Sequence, residues 1–212
     1  AEGTTFVTLD EVERKLSDKD LMICNTEEPM CIAGVFGGLD SGTTEQTVDV
    51  FLESAYFNPT WVRKTARRHG LSTDSSFRFE RGIDPNGTIY ALKEAALLVQ
   101  ELAGGTISSE IKDNYPAPIA DFTVELNYEK VHSLIGKTIP VETIKSIVTS
   151  LEMKIVNETP EGLTLQVPPY RVDVQRDCDV VEDILRIYGY NNVEIPTTLK
   201  SSLTTKGEVD YS

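Results

Sequence analysis

Histidine is nearly missing from this sequence: 212 residues carry two, His69 and His132. They fall in different expected domains, so no Ser/His/Asp or Cys/His triad can be assembled. Cysteine is almost as scarce. Three thiols (Cys24, Cys31, Cys178) fit no closed disulfide framework and no Cys-x-x-Cys metal pattern. Cys24 and Cys31 flank an expected hairpin, where small buried thiols are the ordinary reading. No apolar run approaches the roughly 20 residues of a spanning helix, and no signal peptide is visible. Positive charge is short too, with 20 Lys and Arg against 34 Asp and Glu, a net charge of −14 and a pI near 4.6. That balance excludes diffuse binding to nucleic acid, which needs a broad positive surface. Together these absences point to a reducing cytoplasm and no membrane. The opening AEGTTF has no Met and reads as part of something longer.

Enough remains for one large domain or two smaller ones. A 40% hydrophobic and 25% charged composition is that of an ordinary soluble globular protein. LMICN (21–25) and MCIAGVFGG (30–38) read as strands joined by the turn TEEP, and TVDVFLESAYF (47–57) alternates like a longer strand. Asn58-Pro59 starts a helix that ends near Gly70; a second helix, over 87–103, closes on Gly104-Gly105, and a strand follows near 106–112. The Pro-rich segment 113–121 marks a boundary. Beyond it come a strand (TVELN), two helices (YEKVHSLIG and VETIKSIVTSLE), and two strands joined by TPEG. A last helix spans about 178–188. The expected division is 1–115, 116–200 and a loose tail over 201–212, in the α+β class.

Four constellations are candidates for chemistry. AGVFGGLDSG (33–42) is neither Gly-x-Gly-x-x-Gly nor a P-loop, and no helix follows to hold an anion. Its glycines serve a tight turn or a close approach to a ligand. Glu53 sits in an apolar strand pattern, either on a solvated face or in a pocket where it accepts a ligand hydroxyl. HGLSTDSSFRFERG (69–82) is rich in hydroxyls, which ordinarily serve local turns. Its basic flank repels itself, because Arg63/Arg67 and Lys64/Arg68 are like-charge i, i+4 pairs. They await phosphate or carboxylate. Asp179, Glu182 and Asp183 share a helix face, with Asp173 just before them. Such carboxylates suit either the positive end of a helix dipole or a hard cation such as Mg²⁺.

The stretch GVFGGLDSGTTEQTVDVFLESAYFNPTWVRKTARRHGLSTDSSFRFERGIDP (34–85) closely resembles the B3/B4 editing domain of bacterial phenylalanyl-tRNA synthetase beta subunits. PYRVDVQRDCDVVEDILRIYGYNNVEIP (169–196) is similar to their B5 domain, in the same order. The resemblance implies a β-rich editing domain with flanking helices, lacking its first part, then a small mixed helical/β B5 domain. It implies hydrolysis of tyrosine from mischarged tRNA(Phe), with Glu53 reading the tyrosine hydroxyl. Gly34 and Gly37 would line the pocket, and Thr73 and Ser75 would form the opposite wall.

The resemblance further implies a Mg²⁺ site at Asp173, Asp179, Glu182 and Asp183, with Asp183 replacing the family's final Glu. That site would be weak or absent in this chain alone. ATP would be used by the parent enzyme rather than bound here. The implied partners are the catalytic alpha subunit and the tRNA acceptor end. No residue is an evident general base; the family's pocket also draws on upstream residues, including a histidine, and Ser75 stands where alanine is common. Two other readings stay open: a module that binds tRNA or protein without hydrolysis, and a scaffold whose acidic helix docks on a basic partner.

Overall fold

Short apolar runs broken by polar turns make hairpins of the opening part of the chain. The computed structural model describes residues 2–195, and the expected loose tail (201–212) lies outside them. The chain divides into two units, Ala1–Asp121 with Pro168–Val172, and Phe122–Val167 with the residues from Asp173 onward. The described residues form six α-helices and three small antiparallel sheets, an α+β fold.

In the first unit, β1 (Thr5–Val7) pairs antiparallel with β2 (Glu13–Lys15). Asp10 in the connecting turn accepts both arms of the Arg14 guanidinium, Nη1 at 2.7 Å and Nη2 at 2.8 Å. That fork, with the Thr8 hydroxyl, holds the Asp10 carboxyl well below the usual carboxylate range. A meander follows: β3 (Met22–Cys24), β4 (Pro29–Ile32) and β5 (Phe36–Gly37), in that order across the sheet. The expected TEEP turn joins the first two, and the Asn25 side chain accepts the Glu27 and Glu28 amides within it.

Helix α1 (Pro59–Arg68) begins as the sequence predicts. The Asn58 side chain caps the Thr60 and Trp61 amides, and Pro59 takes the position where a missing N–H costs nothing. Its buried Val62 and Ala66 pack with Phe6, Leu16, Ile32 and Val35. At its far end Arg68 and His69 both grip Asp20, whose side chain is fully buried; the His69 Nε2–Asp20 Oδ2 distance is 2.6 Å.

Three expectations for this unit need correction. The hydroxyl-rich run is not a turn but a short helix, α2 (Asp74–Phe79). The segment 47–57 forms no strand, and its Val48 and Phe51 are 90% and 94% exposed. Alternation supplies a face, but a strand also needs a neighbour to satisfy its backbone, and no described strand pairs with this segment. The strand expected near 106–112 is absent for the same reason. The helix between them, α3 (Thr88–Ala103), forms as predicted and ends where Gly104 turns to φ +74°. None of its residues is buried.

The second unit follows its sequence pattern closely. It runs β6 (Phe122–Asn127), α4 (Tyr128–Ile135), α5 (Val141–Ser150), β7 (Lys154–Thr159), β8 (Gly162–Val167) and α6 (Asp177–Tyr188). β8 lies between β6 and β7, antiparallel to both. Its Leu163, Leu165 and Val167 meet Val131 of α4, Ile144 and Val148 of α5, and Val180 and Ile184 of α6 in one core. Each such side chain contributes about 1.5–3 kcal/mol on burial. Gly162 has no room for a side chain, because a Cβ there would stand 2.1 Å from the Leu126 carbonyl oxygen. Among the described residues, no helix is long and apolar enough to cross a membrane.

Asp20 generates a pH prediction. Burial pushes its pKa up, but the Ser17 amide, His69 and Arg68 outweigh that and leave it lowered. A carboxyl lowered by folding stabilises the protein above its unfolded pKa of about 3.9, and that gain is lost as pH falls through the folded value. Asp20→Asn should cost about 2 kcal/mol at neutral pH and flatten the acid limb of the stability curve. Urea unfolding of both proteins between about pH 3 and 7 tests this; equal acid limbs would refute it.

Candidate functional site

Three of the expected editing residues, Gly34, Gly37 and Thr73, meet at the hairpin formed by β4 and β5. Gly34, in its turn, has φ +67°, a left-handed conformation that L side chains resist. A Cβ at Gly34 would lie 2.9 Å from Phe57, 3.2 Å from Val62 and 3.4 Å from Phe79. Phe57 and Phe79 themselves pack with ring centroids 5.1 Å apart at an interplanar angle of 53°. Gly34 is therefore required both by its backbone and by the aromatic wall against it.

Thr73 reaches the same turn from α2. Its hydroxyl donates to the Val35 carbonyl at 2.6 Å while accepting the Ser76 amide at 3.0 Å. Ser76, buried, returns the bond by accepting the Thr73 amide, completing a capping box. Thr73 thus acts as helix cap and strap at once. Ser75 is exposed on the outer side of α2.

Gly37 pairs with Cys31 across the hairpin, and a Cβ there would touch the flexible end of Leu9 at 2.9 Å. Gly38 is the more constrained neighbour: a Cβ would stand 2.6 Å from the Met30 carbonyl oxygen and 2.7 Å from Phe6. Glu53 lies in the irregular segment 47–57, exposed overall yet partly desolvated at its carboxyl, which raises its pKa. No described residue donates a hydrogen bond or offers a cation to it. Its charge reaches Cys31, whose thiol is pushed up by burial first and by Glu53 second. So Gly34 and Thr73 meet at one end of the hairpin, Glu53 approaches the Cys31–Gly37 pair, and Ser75 joins neither. A cavity of about 350 Å³ adjoins the Gly34 wall through Ala33, Phe57 and Val62, but none of the five expected residues lines it.

In the second unit Asp179, Glu182 and Asp183 of α6 have arginine beside them, and Asp177 bonds Lys130. Asp179 accepts Arg176 Nη2 at 2.8 Å, the Arg176 amide at 2.9 Å and the Gln175 amide at 3.2 Å. Its carboxyl is held down to about 2, chiefly by the Arg176 side chain. Glu182 accepts Arg186 Nη2 at 2.8 Å, while Asp183 is buried with Arg186 Nη1 at 3.6 Å from it. Asp173 sits in an exposed turn before the helix. Asp183 is thus buried where Glu182 is exposed, and the Arg186 guanidinium lies against both. Among the described residues no group of three or more His, Cys, Asp or Glu side chains is placed to hold a metal. As arranged, the four carboxylates do not fit a divalent cation.

Comparison with known proteins finds two domains in succession, the second of which runs through residues 168–172 of the first unit. A B3/4 domain model matches residues 1–104, and a tRNA synthetase B5 domain model matches 124–190. A protein of Bacteroides fragilis named phenylalanine–tRNA ligase beta subunit is 83% identical over 211 residues, covering 100% of this chain. Proteins of the same name from Porphyromonas gingivalis and Geobacter metallireducens are 57% identical over 99% of the chain and 40% identical over 92%. The chain belongs to the phenylalanine–tRNA ligase beta-subunit family. It spans 26% of the length of the Bacteroides and Porphyromonas relatives and 24% of the Geobacter one.

Several structural residues have no signal in the local sequence. Asp20 and His69 are 49 positions apart, and no local pattern announces a bond between them. Phe57 was legible only as part of a strand. The Thr73–Ser76 box was visible in hindsight as two hydroxyls at cap spacing. We predict that Gly34→Ala, which must adopt the left-handed backbone and displace Phe57, destabilises the first unit by about 2 kcal/mol. Chemical denaturation followed by Trp61 fluorescence measures this; an unchanged midpoint would show that the turn tolerates a side chain.

Proposed function

We propose that this chain provides the tyrosine-editing function, and part of the subunit assembly, of a phenylalanine–tRNA ligase. The observation that carries the reading is Glu53: a partly desolvated carboxyl beside the β4–β5 hairpin, its pKa raised, with no partner among the described residues. A tyrosine para-hydroxyl would supply the missing hydrogen bond, whereas phenylalanine would bury the carboxylate further and leave it unpaired. Gly34 and Gly37 keep side chains away from the hairpin, and Thr73 braces the facing helix. Ser75, exposed on the outer side of α2, is left out of that wall.

Hydrolysis needs a water, which attacks the ester carbonyl, frees tyrosine and returns the ribose hydroxyl. His69 does not serve as its base, because the ring is buried against Asp20. The chain's own part is to bind and orient the aminoacyl group, with backbone amides favouring the developing oxyanion and the terminal ribose of the tRNA aiding the water. The B5 unit contributes assembly with the alpha subunit, which charges tRNA(Phe) with phenylalanine at the expense of ATP in the cytoplasm. ATP is not assigned to this chain, and no step is routed through Mg²⁺. A binding role without hydrolysis is favoured by one observation, the absence of an available base among the described residues.

An NMR titration with L-tyrosine and then L-phenylalanine tests the recognition step. Tyrosine should bind at least about tenfold more tightly, with shifts at Gly34, Glu53 and Thr73, and Glu53→Ala should abolish the difference. Equal responses to both amino acids in the unmodified chain would contradict the assignment of Glu53.

A further inference from the structure

The chain's strong negative charge makes the outer face of α1 unusual. Arg63, Lys64 and Arg67 are all exposed, and none has a carboxylate within ion-pairing distance. Their neighbours Arg68 and Arg81 are neutralised by Asp20 and Glu80. Glu80 even borders the same surface cavity, of about 240 Å³, that Thr60, Arg63, Lys64 and Arg67 line, yet its carboxylate turns to Arg81 at 3.1 Å. Arg63 and Arg67, one turn apart, repel each other, a cost that a bound anion removes.

Beside them stands Trp61, the one tryptophan in the chain, 46% exposed. The Lys64 ammonium lies over its ring, 5.1 Å from the centroid. An aromatic ring set in a row of unpaired cations is what single-stranded nucleic acid requires, the ring for a base and the cations for consecutive phosphates. A buried face of Val62, Thr65 and Ala66 fixes the helix, so these groups are presented on a rigid support. At physiological salt the Debye length is about 8 Å, which screens the distant carboxylates and leaves the local patch to act.

We propose that the outer face of α1 binds the single-stranded end of an RNA, with Trp61 stacking on a base and Arg63, Lys64 and Arg67 holding phosphates. This rests on the editing reading, in which the chain receives the 3′ end of a tRNA. Three phosphate contacts to a single strand predict a slope of about −2 in log affinity against log salt.

The test is fluorescence anisotropy with a labelled single-stranded RNA of about twelve nucleotides, between about 50 and 200 mM salt. The unmodified chain should show that slope, and Arg63→Ala/Lys64→Ala/Arg67→Ala should lose most of both binding and salt dependence. Trp61→Ala should weaken binding about 5- to 150-fold and leave the slope unchanged. A control, Lys15→Ala/Lys93→Ala/Lys112→Ala, removes equal charge elsewhere and should bind like the unmodified chain. Equal losses in the two triple variants would overturn the proposal, as would duplex RNA binding as tightly as the single strand. Preference for an acidic polypeptide over RNA would also overturn it, in favour of a protein partner. Tyrosine selectivity retained in the α1 variant would separate failure here from failure of the editing assignment.

Discussion

A single hydrogen bond, from the Thr73 hydroxyl to the Val35 carbonyl, ties α2 to the turn of the β4–β5 hairpin. Neither partner has a ready substitute. Val35 sits in the turn after Gly34, and its carbonyl accepts the Thr73 hydroxyl. Thr73 is already engaged as the cap of α2, so its rotamer is fixed by the Ser76 amide before it meets the hairpin. The small size of Gly34 lets Phe57, Val62 and Phe79 close around the same point. Hairpin, α1 and α2 therefore share one contact region, and the irregular segment carrying Glu53 enters it through Phe57. The placement of Glu53 depends on that arrangement, because the segment has no ladder of its own to hold it.

The two units solve the problem of charge differently. In the first, the buried Asp20 is surrounded by Arg68, His69 and the Ser17 amide, while Arg63, Lys64 and Arg67 of α1 are exposed without a carboxylate partner. In the second, α6 turns its carboxylates onto its own arginines, and Lys130 bonds Asp177 at the start of the same helix. One unit leaves positive charge available and the other consumes it. A chain with net charge −14 is thus acidic in total but carries local positive charge on α1 that no carboxylate among the described residues neutralises.

The second unit was legible almost element by element, because each of its helices and strands buries a face within the same short stretch of sequence. The period-2 pattern of LTLQV and the period-3.6 pattern of VETIKSIV both found neighbours, so pattern and structure agree. In the first unit the pattern over 47–57 is equally clear, yet a strand is completed by what lies beside it, and the described residues supply no partner. The hydroxyls of 72–76 raised the opposite difficulty. Read locally they suggest a turn, but Thr73 and Ser76 are spaced to cap a helix, and only the Val35 contact shows why that helix forms there. The candidate pocket residues were named through resemblance rather than spacing. Pattern could place Glu53 only on one side of an expected strand, and its desolvation beside Cys31 is a three-dimensional fact.

Hydrogen exchange on Thr73→Val tests the organising role of that contact most directly. Valine keeps the shape but removes both the cap and the strap. If the account is right, the amides of Val35 to Gly38 and of Ser76 to Phe79 lose protection together, by similar factors, while α4 and β8 are untouched. Loss confined to α2, with the hairpin fully protected, would show that hairpin and helix stand independently and that the Val35 bond is incidental.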